Sequence, residues 1–306
     1  MPGLLFTLAL LLGGCATQTQ ELMRQGAAAG LPRRVELNAT PFFAQERYQC
    51  GPASLAMALR AVGIDATPDA LVPQVYVPQR EGSLQPEMLA AARRNGALAV
   101  TIPHRLDALL REVAAGHPVI VLQNLSLPVA PLWHYAVVIG YDLDNGDLIL
   151  RSGTTEREVM AMSTFEHTWK RSDEWGMLAL APGSLPETVD EVAMTDALVA
   201  FEKTGKARQA HAAYEAALKR WPRNPTLLLG AGNTAYAAGD REAAVLAFQR
   251  AVAVQPDNAP ALNNLATVLA ELGRRDEARD AAQRAVALGG PWRDAAQATL
   301  RSIEKK

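Results

Sequence analysis

Three residues of this chain have the types and the surroundings that thiol-based acyl transfer requires. Cys50 stands just before Gly51-Pro52 and an apolar stretch that predicts a helix, and the partial positive charge of a helix N-terminus favours thiolate over thiol. Gln45 lies upstream, where its amide N–H and the backbone N–H of Cys50 would form an oxyanion hole. His134 precedes the apolar run YAVVIGY, and a neutral imidazole beside the thiol is the base that such a nucleophile needs.

The elements around these residues follow the order of an α+β domain, with helices first and antiparallel strands later. Asn145-Gly146 stands between two apolar runs and predicts the hairpin that carries His134. Periodicity and turn signals predict helices over Ala53–Val62, Pro86–Asn95 and Leu106–Ala115, and strands over Pro118–Gln123, Tyr135–Tyr141, Leu148–Arg151 and Trp175–Ala181.

The motif Gln-x4-Cys-Gly-Pro-Ala-x-Leu, read from Gln45, is followed by His-Tyr-Ala-Val-Val-x-Gly-Tyr from His134. Together the two motifs resemble papain-like cysteine peptidases of the bacteriocin double-glycine leader peptidase type, in particular exported members with C-terminal tetratricopeptide repeats. The resemblance covers residues 36–182 and implies a papain-like α+β fold with a peptide substrate. It also implies Cys50 as the nucleophile, His134 as the base and Gln45 as the oxyanion residue. No cofactor is implied, and no spacing of His, Cys and Asp suits a zinc site.

One position departs from the pattern of that family. Its members typically carry Asp-Pro on the strand that returns from the hairpin, and the equivalent dipeptide here is Ser152-Gly153. If Asn145-Gly146 centres the turn, residues near 155–157 pair opposite His134, Ser152 lies diagonal to it, and Glu156 is close in register. Ser152, Glu156 or a backbone carbonyl would then orient the imidazole, and a serine stabilises imidazolium less than a carboxylate does.

The chain has two cysteines, and the first follows a short apolar run from Leu4 to Leu12 and a Gly-Gly pair. This run is too short to span a bilayer, which takes about 20 residues, and the pattern is typical of a secretion signal. It resembles the bacterial lipoprotein signal, which implies a signal peptide over 1–14, lipidation of Cys15 and a periplasm-facing location in the cell envelope. Cys50 then has no disulfide partner, and a lone thiol in an oxidising compartment favours a functional role.

Residues 191–292 repeat with a period of 34, which resembles the tetratricopeptide repeat. The period appears in three sets of small residues: Gly205, Gly239 and Gly273; Ala210, Ala244 and Ala278; Ala217, Ala251 and Ala285. We expect three repeats, at 191–224, 225–258 and 259–292, that fold separately from the first domain and bind a protein partner. A lipidated tether over 15–35, a linker over 183–190 and a polar cap over 293–306 complete the predicted organisation.

Composition excludes some functions and leaves three open. A net charge of −2 over 306 residues gives no field that favours nucleic acid, and no GxxxxGK[ST] motif for ATP is present. The first open function is a peptidase that forms an acyl-enzyme on Cys50, attached to the membrane through its lipid alone. The second is a catalytically weak or inactive peptide-binding module of an envelope complex, and the third is a thiol acyltransferase or amidase.

Overall fold

The structure of this protein is a computed structural model, and it describes residues 17–25, 30–45 and 49–305. Cys15 and the predicted signal peptide lie outside the described residues. Within the described ranges, no helix combines the length and the apolar character needed to cross a membrane.

The first domain is built on an antiparallel sheet with helices on both faces. Seven strands pair in the order β4-β9-β5-β6-β7-β8, with β1 beside β6, and β2 and β3 form a separate hairpin. The strands are β1 Arg34–Glu36, β2 Tyr76–Val77, β3 Gly82–Ser83, β4 Leu98–Thr101, β5 Val119–Asn124, β6 Trp133–Asp142, β7 Asp147–Ser152, β8 Thr155–Ala161 and β9 Gly176–Leu180. The helices are α1 Gln18–Gln25, α2 Cys50–Ala61, α3 Pro68–Val75, α4 Gln85–Arg94, α5 Leu106–Ala114 and α6 Met162–Lys170.

Alternation along β6 divides the core of this domain between the two faces of the sheet, because successive strand side chains point to opposite faces. Tyr135, Val137 and Ile139 belong to the buried cluster that includes the apolar side of α2. Ala136 and Val138 belong to the cluster that includes α5 and α6. The long central strand is therefore fixed from both sides, and so is the position of His134 at its start.

The predicted tether over 15–35 differs from the structure in residues 18–25, which form α1 and pack on the domain. Glu166, a buried carboxylate of α6, accepts hydrogen bonds from the backbone N–H groups of Gln18 and Thr19, each 2.8 Å, and from the Thr19 hydroxyl at 2.6 Å. These bonds satisfy N–H groups that a helix start leaves free. Leu22 is buried in the core on the same side, so α1 is held by polar and apolar contacts.

Helical hairpins follow the first domain, between residues 191 and 288. They are α7 Glu191–Glu202 with α8 Ala207–Arg220, α9 Pro225–Ala237 with α10 Arg241–Val254, and α11 Ala259–Glu271 with α12 Arg275–Leu288; a last helix, α13, spans Arg293–Lys305. The predicted cap thus contains a helix that buries Ala296 and Ile303. Gly205, Gly239 and Gly273 turn the chain between the paired helices with positive φ, which glycine adopts without a Cβ penalty.

The expectation that the repeats fold separately is wrong for the first helix. Met194, Leu198 and Phe201 of α7 are fully buried in the same apolar cluster as Leu98 of β4 and Leu180 of β9. The physical reason is that α7 packs against the edge strand β4. The face of the sheet that packs on α5 and α6 therefore shares one continuous apolar cluster with the repeats.

The predicted linker over 183–190 is also anchored. Glu112 of α5 is fully buried, and its carboxylate accepts hydrogen bonds from the N–H groups of Glu187 and Thr188 and from the Thr188 hydroxyl. His117 contacts the same carboxylate at 2.9 Å. Because a buried carboxylate is costly unless its oxygens are bonded, Glu112 fixes the path of the chain between the two regions.

Candidate active site

Cys50 is the first residue of α2, and its half-buried sulfur lies against the start of β6. The backbone N–H groups of Tyr135, Gly51 and Cys50 itself are directed at the sulfur and favour thiolate, but burial acts more strongly and raises the pKa of the Cys50 thiol. Helix-start position alone predicts a lowered pKa. The Cys50 pKa is raised instead, because desolvation of the thiolate outweighs the stabilisation by the three N–H groups.

His134 is the second residue of β6, and its Nε2 lies 3.0 Å from Ser152 Oγ on β7. Burial lowers the pKa of the His134 imidazole, and the charge of Glu158 only partly opposes that shift. The imidazole is therefore neutral at pH 7. With Nε2 directed at Ser152, Nδ1 is the ring nitrogen that remains for the thiol proton.

The register of the hairpin explains why Ser152, rather than Glu156, contacts the imidazole. The turn is longer than Asn145-Gly146 alone, because Asp142 pairs with Asp147, and the register shifts once more between Val138 and Gly140. Val137 then pairs with Arg151; continuing this register places residue 154, not 155–157, opposite His134. Ser152 falls on the diagonal to His134, as the sequence predicts.

Glu156 points away from the imidazole. Its side chain is 68% exposed and faces the guanidinium of Arg151, with 3.9 Å between Oε1 and Nη1. Its backbone carbonyl accepts a 2.6 Å hydrogen bond from the same guanidinium. Of the two side chains that the sequence leaves open, the structure brings Ser152 and not Glu156 to His134.

Gln45 is tied to both halves of the site. Its backbone N–H donates to the Gly153 carbonyl at 2.9 Å, which links it to the residue after Ser152. Its side-chain Nε2 makes long contacts with the Tyr135 carbonyl at 3.3 Å and Ser54 Oγ at 3.4 Å. The amide nitrogen is therefore held beside the residue whose own N–H is directed at the Cys50 sulfur.

Cys50, His134 and Gln45 line one cleft of about 1080 Å³. One wall is the hairpin of β2 and β3, a second wall is formed by residues 171–173, and Leu132 and Trp133 also line the cleft. Glu81 on one wall and Asp173 on the other have positive φ, at 46° and 57°, a conformation that is uncommon for non-glycine residues. A cleft of this size accommodates an extended peptide segment.

These two walls are absent from the sequence-based prediction. Pro78 and Gly82 are turn signals for the first wall, but nothing in the local sequence shows that the segment reaches Cys50. The second wall follows α6, and Ser172 and Arg171 tie it to β5 by donating hydrogen bonds to the carbonyls of Leu122 and Asn124. These partners are distant in sequence, so no local pattern predicts the wall.

Gly51 allows the hairpin wall to approach the start of α2. A Cβ at this position would lie 2.6 Å from Ser83 Cβ and would also overlap Ser83 Oγ. The Tyr135 hydroxyl donates to the Ser83 carbonyl at 3.1 Å, which ties the hairpin to β6 as well. The second residue of the Cys-Gly-Pro motif thus has a packing reason to be glycine.

The described residues contain no group of three or more His, Cys, Asp or Glu side chains that could hold a metal ion. His117 is bonded to Glu112, and His211 Nδ1 lies 3.1 Å from the Ala231 carbonyl.

The fold and the site define a papain-like α+β domain followed by helical-hairpin repeats. Residues 37–176 match the Peptidase_C39 like family, and residues 196–251 and 229–296 match the tetratricopeptide repeat. The chain therefore carries a domain of the Peptidase_C39 like family with tetratricopeptide repeats on its C-terminal side. No curated protein matches the chain.

Solved structures similar to this chain cover its two regions separately. A C39-like peptidase from Bacillus anthracis shares 19% identity over 51% of this chain and 100% of that chain, with a TM-score of 0.43. The first tetratricopeptide domain of Spaghetti (RPAP3), bound to an HSP90 peptide, shares 21% identity over 37% of this chain and 90% of that chain, with a TM-score of 0.35. The type III secretion translocator chaperone SycD from Yersinia enterocolitica shares 17% identity over 38% of this chain and 87% of that chain, with a TM-score of 0.36.

Proposed function

We propose that this protein is a cysteine peptidase that cleaves a peptide through an acyl-enzyme on Cys50. The observation that carries the proposal is the meeting of Cys50, His134 and Gln45 in one cleft, with Ser152 holding the imidazole. A nucleophile, a base oriented by a third group, and an amide donor are the parts that acyl transfer requires.

In the proposed reaction, the Cys50 thiol gives its proton to His134 Nδ1 as the sulfur bonds to the substrate carbonyl carbon. The resulting oxyanion accepts hydrogen bonds from Gln45 Nε2 and the Cys50 N–H, which stabilise charge that develops only in the transition state. The imidazolium then protonates the leaving amine as the C–N bond breaks. Water, deprotonated by the neutral imidazole, hydrolyses the thioester and restores the thiol.

The two pKa shifts decide how the proton moves. Burial raises the pKa of the Cys50 thiol and lowers the pKa of the His134 imidazole, so the neutral pair dominates over the ion pair at pH 7. Proton transfer therefore accompanies attack, and turnover should rise with pH as the His134 imidazole loses its proton through its lowered pKa. Ser152 stabilises the imidazolium through a dipole rather than through a charge.

A catalytically weak or inactive peptide-binding module is the second candidate. Two observations favour it: Ser152 occupies the place where a carboxylate would stabilise imidazolium, and burial opposes thiolate formation at Cys50. In this case the cleft holds a peptide without cleaving it, and the repeats connect the complex to a protein partner.

Cleavage of a peptide library, followed by mass spectrometry, separates the two candidates. The peptidase proposal expects products that disappear in Cys50→Ala and in His134→Ala, while both variants keep the thermal unfolding temperature of the wild type. Products that persist in Cys50→Ala would remove Cys50 as the nucleophile. Absence of products from the wild type, together with retained peptide binding, would establish the binding module.

The location of the protein is a separate part of the proposal. Cys15 carries the lipid, the chain is attached to the membrane of the cell envelope on its periplasmic face, and the repeats bind a protein partner. The Gly-Gly-Cys boundary after the apolar run supports this proposal. Cys15→Ser is expected to release the protein from membranes or to leave its signal uncleaved, and wild-type fractionation and size in that variant would contradict the anchor.

A further inference from the structure

The connection between β5 and β6 exposes several apolar side chains that lie close together in the sequence. We call residues 125–133 the apolar loop; the exposed fractions are 62% for Leu127, 90% for Val129, 60% for Leu132 and 50% for Trp133. No charged residue occurs in the apolar loop. A contiguous apolar surface of this kind marks an interaction site in a water-soluble domain.

The apolar loop is held in shape by hydrogen bonds. The Asn124 side-chain oxygen accepts from the N–H of Ser126 at 3.0 Å and from the N–H of Leu132 at 2.9 Å. The Leu125 N–H donates to the Leu132 carbonyl at 2.9 Å, across the base of the loop. The exposure of its side chains is therefore built into the fold.

The tip of the apolar loop lies outside the cleft. Leu132 and Trp133 line the cleft, whereas Leu127 and Val129 do not. A peptide in the cleft would leave the two tip residues in water, so their exposure calls for a different occupant.

The N-terminal end of α1 lies at the same end of the molecule as the apolar loop. Gln18 Nε2 donates to Glu174 Oε1 at 2.8 Å. Arg171, in the same turn after α6, donates to the carbonyls of Asn124 at 3.3 Å and Ser126 at 3.0 Å. Cys15 precedes Thr17 by two residues, and two residues span at most about 7 Å.

We propose that the apolar loop inserts into the interfacial layer of a lipid bilayer and places the mouth of the cleft at the membrane surface. The proposal rests on the proposed lipid anchor, which would bring this end of the molecule to the bilayer. The loop has the chemistry of an interfacial segment: aliphatic residues at the tip, Trp133 behind them and the cation Arg171 at the base, where lipid headgroups lie. The substrate then is a peptide presented at the membrane surface.

Quenching by brominated lipids tests the insertion directly. The full chain, purified from membranes, is added to phosphatidylethanolamine–phosphatidylglycerol vesicles whose acyl chains carry bromine, and tryptophan emission is measured. Trp133→Phe is expected to remove most of the quenching. Leu127→Asp should lower the inserted population roughly tenfold, since a carboxylate is disfavoured in the membrane. Leu246→Asp is the matched control, because Leu246 on α10 is also 62% exposed, and it should leave quenching unchanged.

The outcomes for the loop and for the anchor are distinguishable. Vesicle-bound wild type without Trp133-dependent quenching would overturn the loop proposal and leave the anchor in place; the apolar loop would then belong to a protein partner. Trp133-dependent quenching that persists in Cys15→Ser would support the loop and show that its insertion does not require the anchor. Equal effects of Leu127→Asp and Leu246→Asp, or a wild type that does not bind the vesicles, would also overturn the loop proposal.

Discussion

Replacement of Ser152 by aspartate tests the proposed role of the residue that holds the imidazole. Ser152 Oγ lies 3.0 Å from His134 Nε2, so a carboxylate on the same Cβ would approach the ring within contact distance. Two unit charges about 4 Å apart interact by roughly 4 kcal/mol at an effective dielectric constant near 20. One pKa unit corresponds to about 1.36 kcal/mol, and carboxylates beside a cation shift its pKa by about 1–3 units.

The sign of the effect follows from the protonation states. In the wild type, the thiolate forms only as pH rises toward a Cys50 pKa that burial holds above its ordinary value. In Ser152→Asp, the carboxylate raises the pKa of His134, and the imidazolium in turn lowers the pKa of Cys50. The ion pair should gain about 10- to 1000-fold in population. The alkaline limb of Cys50 reactivity therefore moves to lower pH.

The assay is the rate of Cys50 alkylation by iodoacetamide between pH 5 and pH 10, with peptide hydrolysis measured in parallel. Ser152→Asn is the matched control, because asparagine has the shape of aspartate without its charge, and Ser152→Ala removes the hydrogen bond. Glu156→Gln should change nothing, since Glu156 faces Arg151. An unchanged pH profile in Ser152→Asp, or equal profiles for Asp and Asn, would refute the reasoning. A large loss in Glu156→Gln would transfer the orienting role to that residue.

Three further predictions concern the scaffold around the site. Gly51→Ala should lower the unfolding free energy by about 1–3 kcal/mol and slow Cys50 alkylation, because the new methyl group overlaps Ser83; Ser83→Gly in the same chain should restore both, and a failure to rescue would contradict the packing argument. A chain that ends at Pro186 should lose much of its thermal stability, since it lacks the buried residues Met194, Leu198 and Phe201 of α7; an unchanged unfolding temperature and thiol reactivity would show that the repeats are independent after all. Burial alone would raise the pKa of Glu112, but hydrogen bonds from His117, Thr188 and the Glu187 N–H outweigh burial and lower that pKa. The carboxylate therefore stabilises the fold at pH values above the ordinary pKa of glutamate, and this contribution is lost as pH falls through the lowered pKa. Glu112→Gln should therefore reduce the unfolding temperature at pH 7, and the gap to the wild type should narrow at acid pH; a gap that is constant down to pH 3 would contradict the role of the charge.

Much of the fold is readable from local patterns in the sequence. Pro52 and the apolar run after it predict a helix beginning near Cys50, and α2 begins at that residue. The period of 34 predicts three helical hairpins, which the structure contains. The contact between Ser152 and His134 is one of the alternatives that the sequence offers. The sequence does not choose Ser152 over Glu156 or a backbone carbonyl, because the hairpin register that decides between them differs from the predicted one.

Other features depend on contacts between distant parts of the chain. The docking of α1 requires Glu166, and the anchored linker requires Glu112; neither carboxylate has a local signal of that role. The turn at Asn145-Gly146 is longer than the dipeptide suggests, and the shift near Gly140 arises where β1 packs on β6. The pKa direction of Cys50 is unpredictable in the same way, because the helix start is local but the burial that opposes it comes from the whole cleft.

Because α7 shares an apolar cluster with the sheet of the first domain, the repeats are packed directly on the domain that carries the cleft. A partner bound to the repeats is then held at a set distance and direction from Cys50, which makes its encounter with the cleft intramolecular. Encounters of this kind proceed at an effective concentration fixed by geometry, which reaches the millimolar range when the span fits and falls to nearly zero when it does not. A protein bound to the repeats would then be a substrate if its cleavable segment were long enough to span from the repeats to Cys50, even if the cleft itself bound that segment weakly.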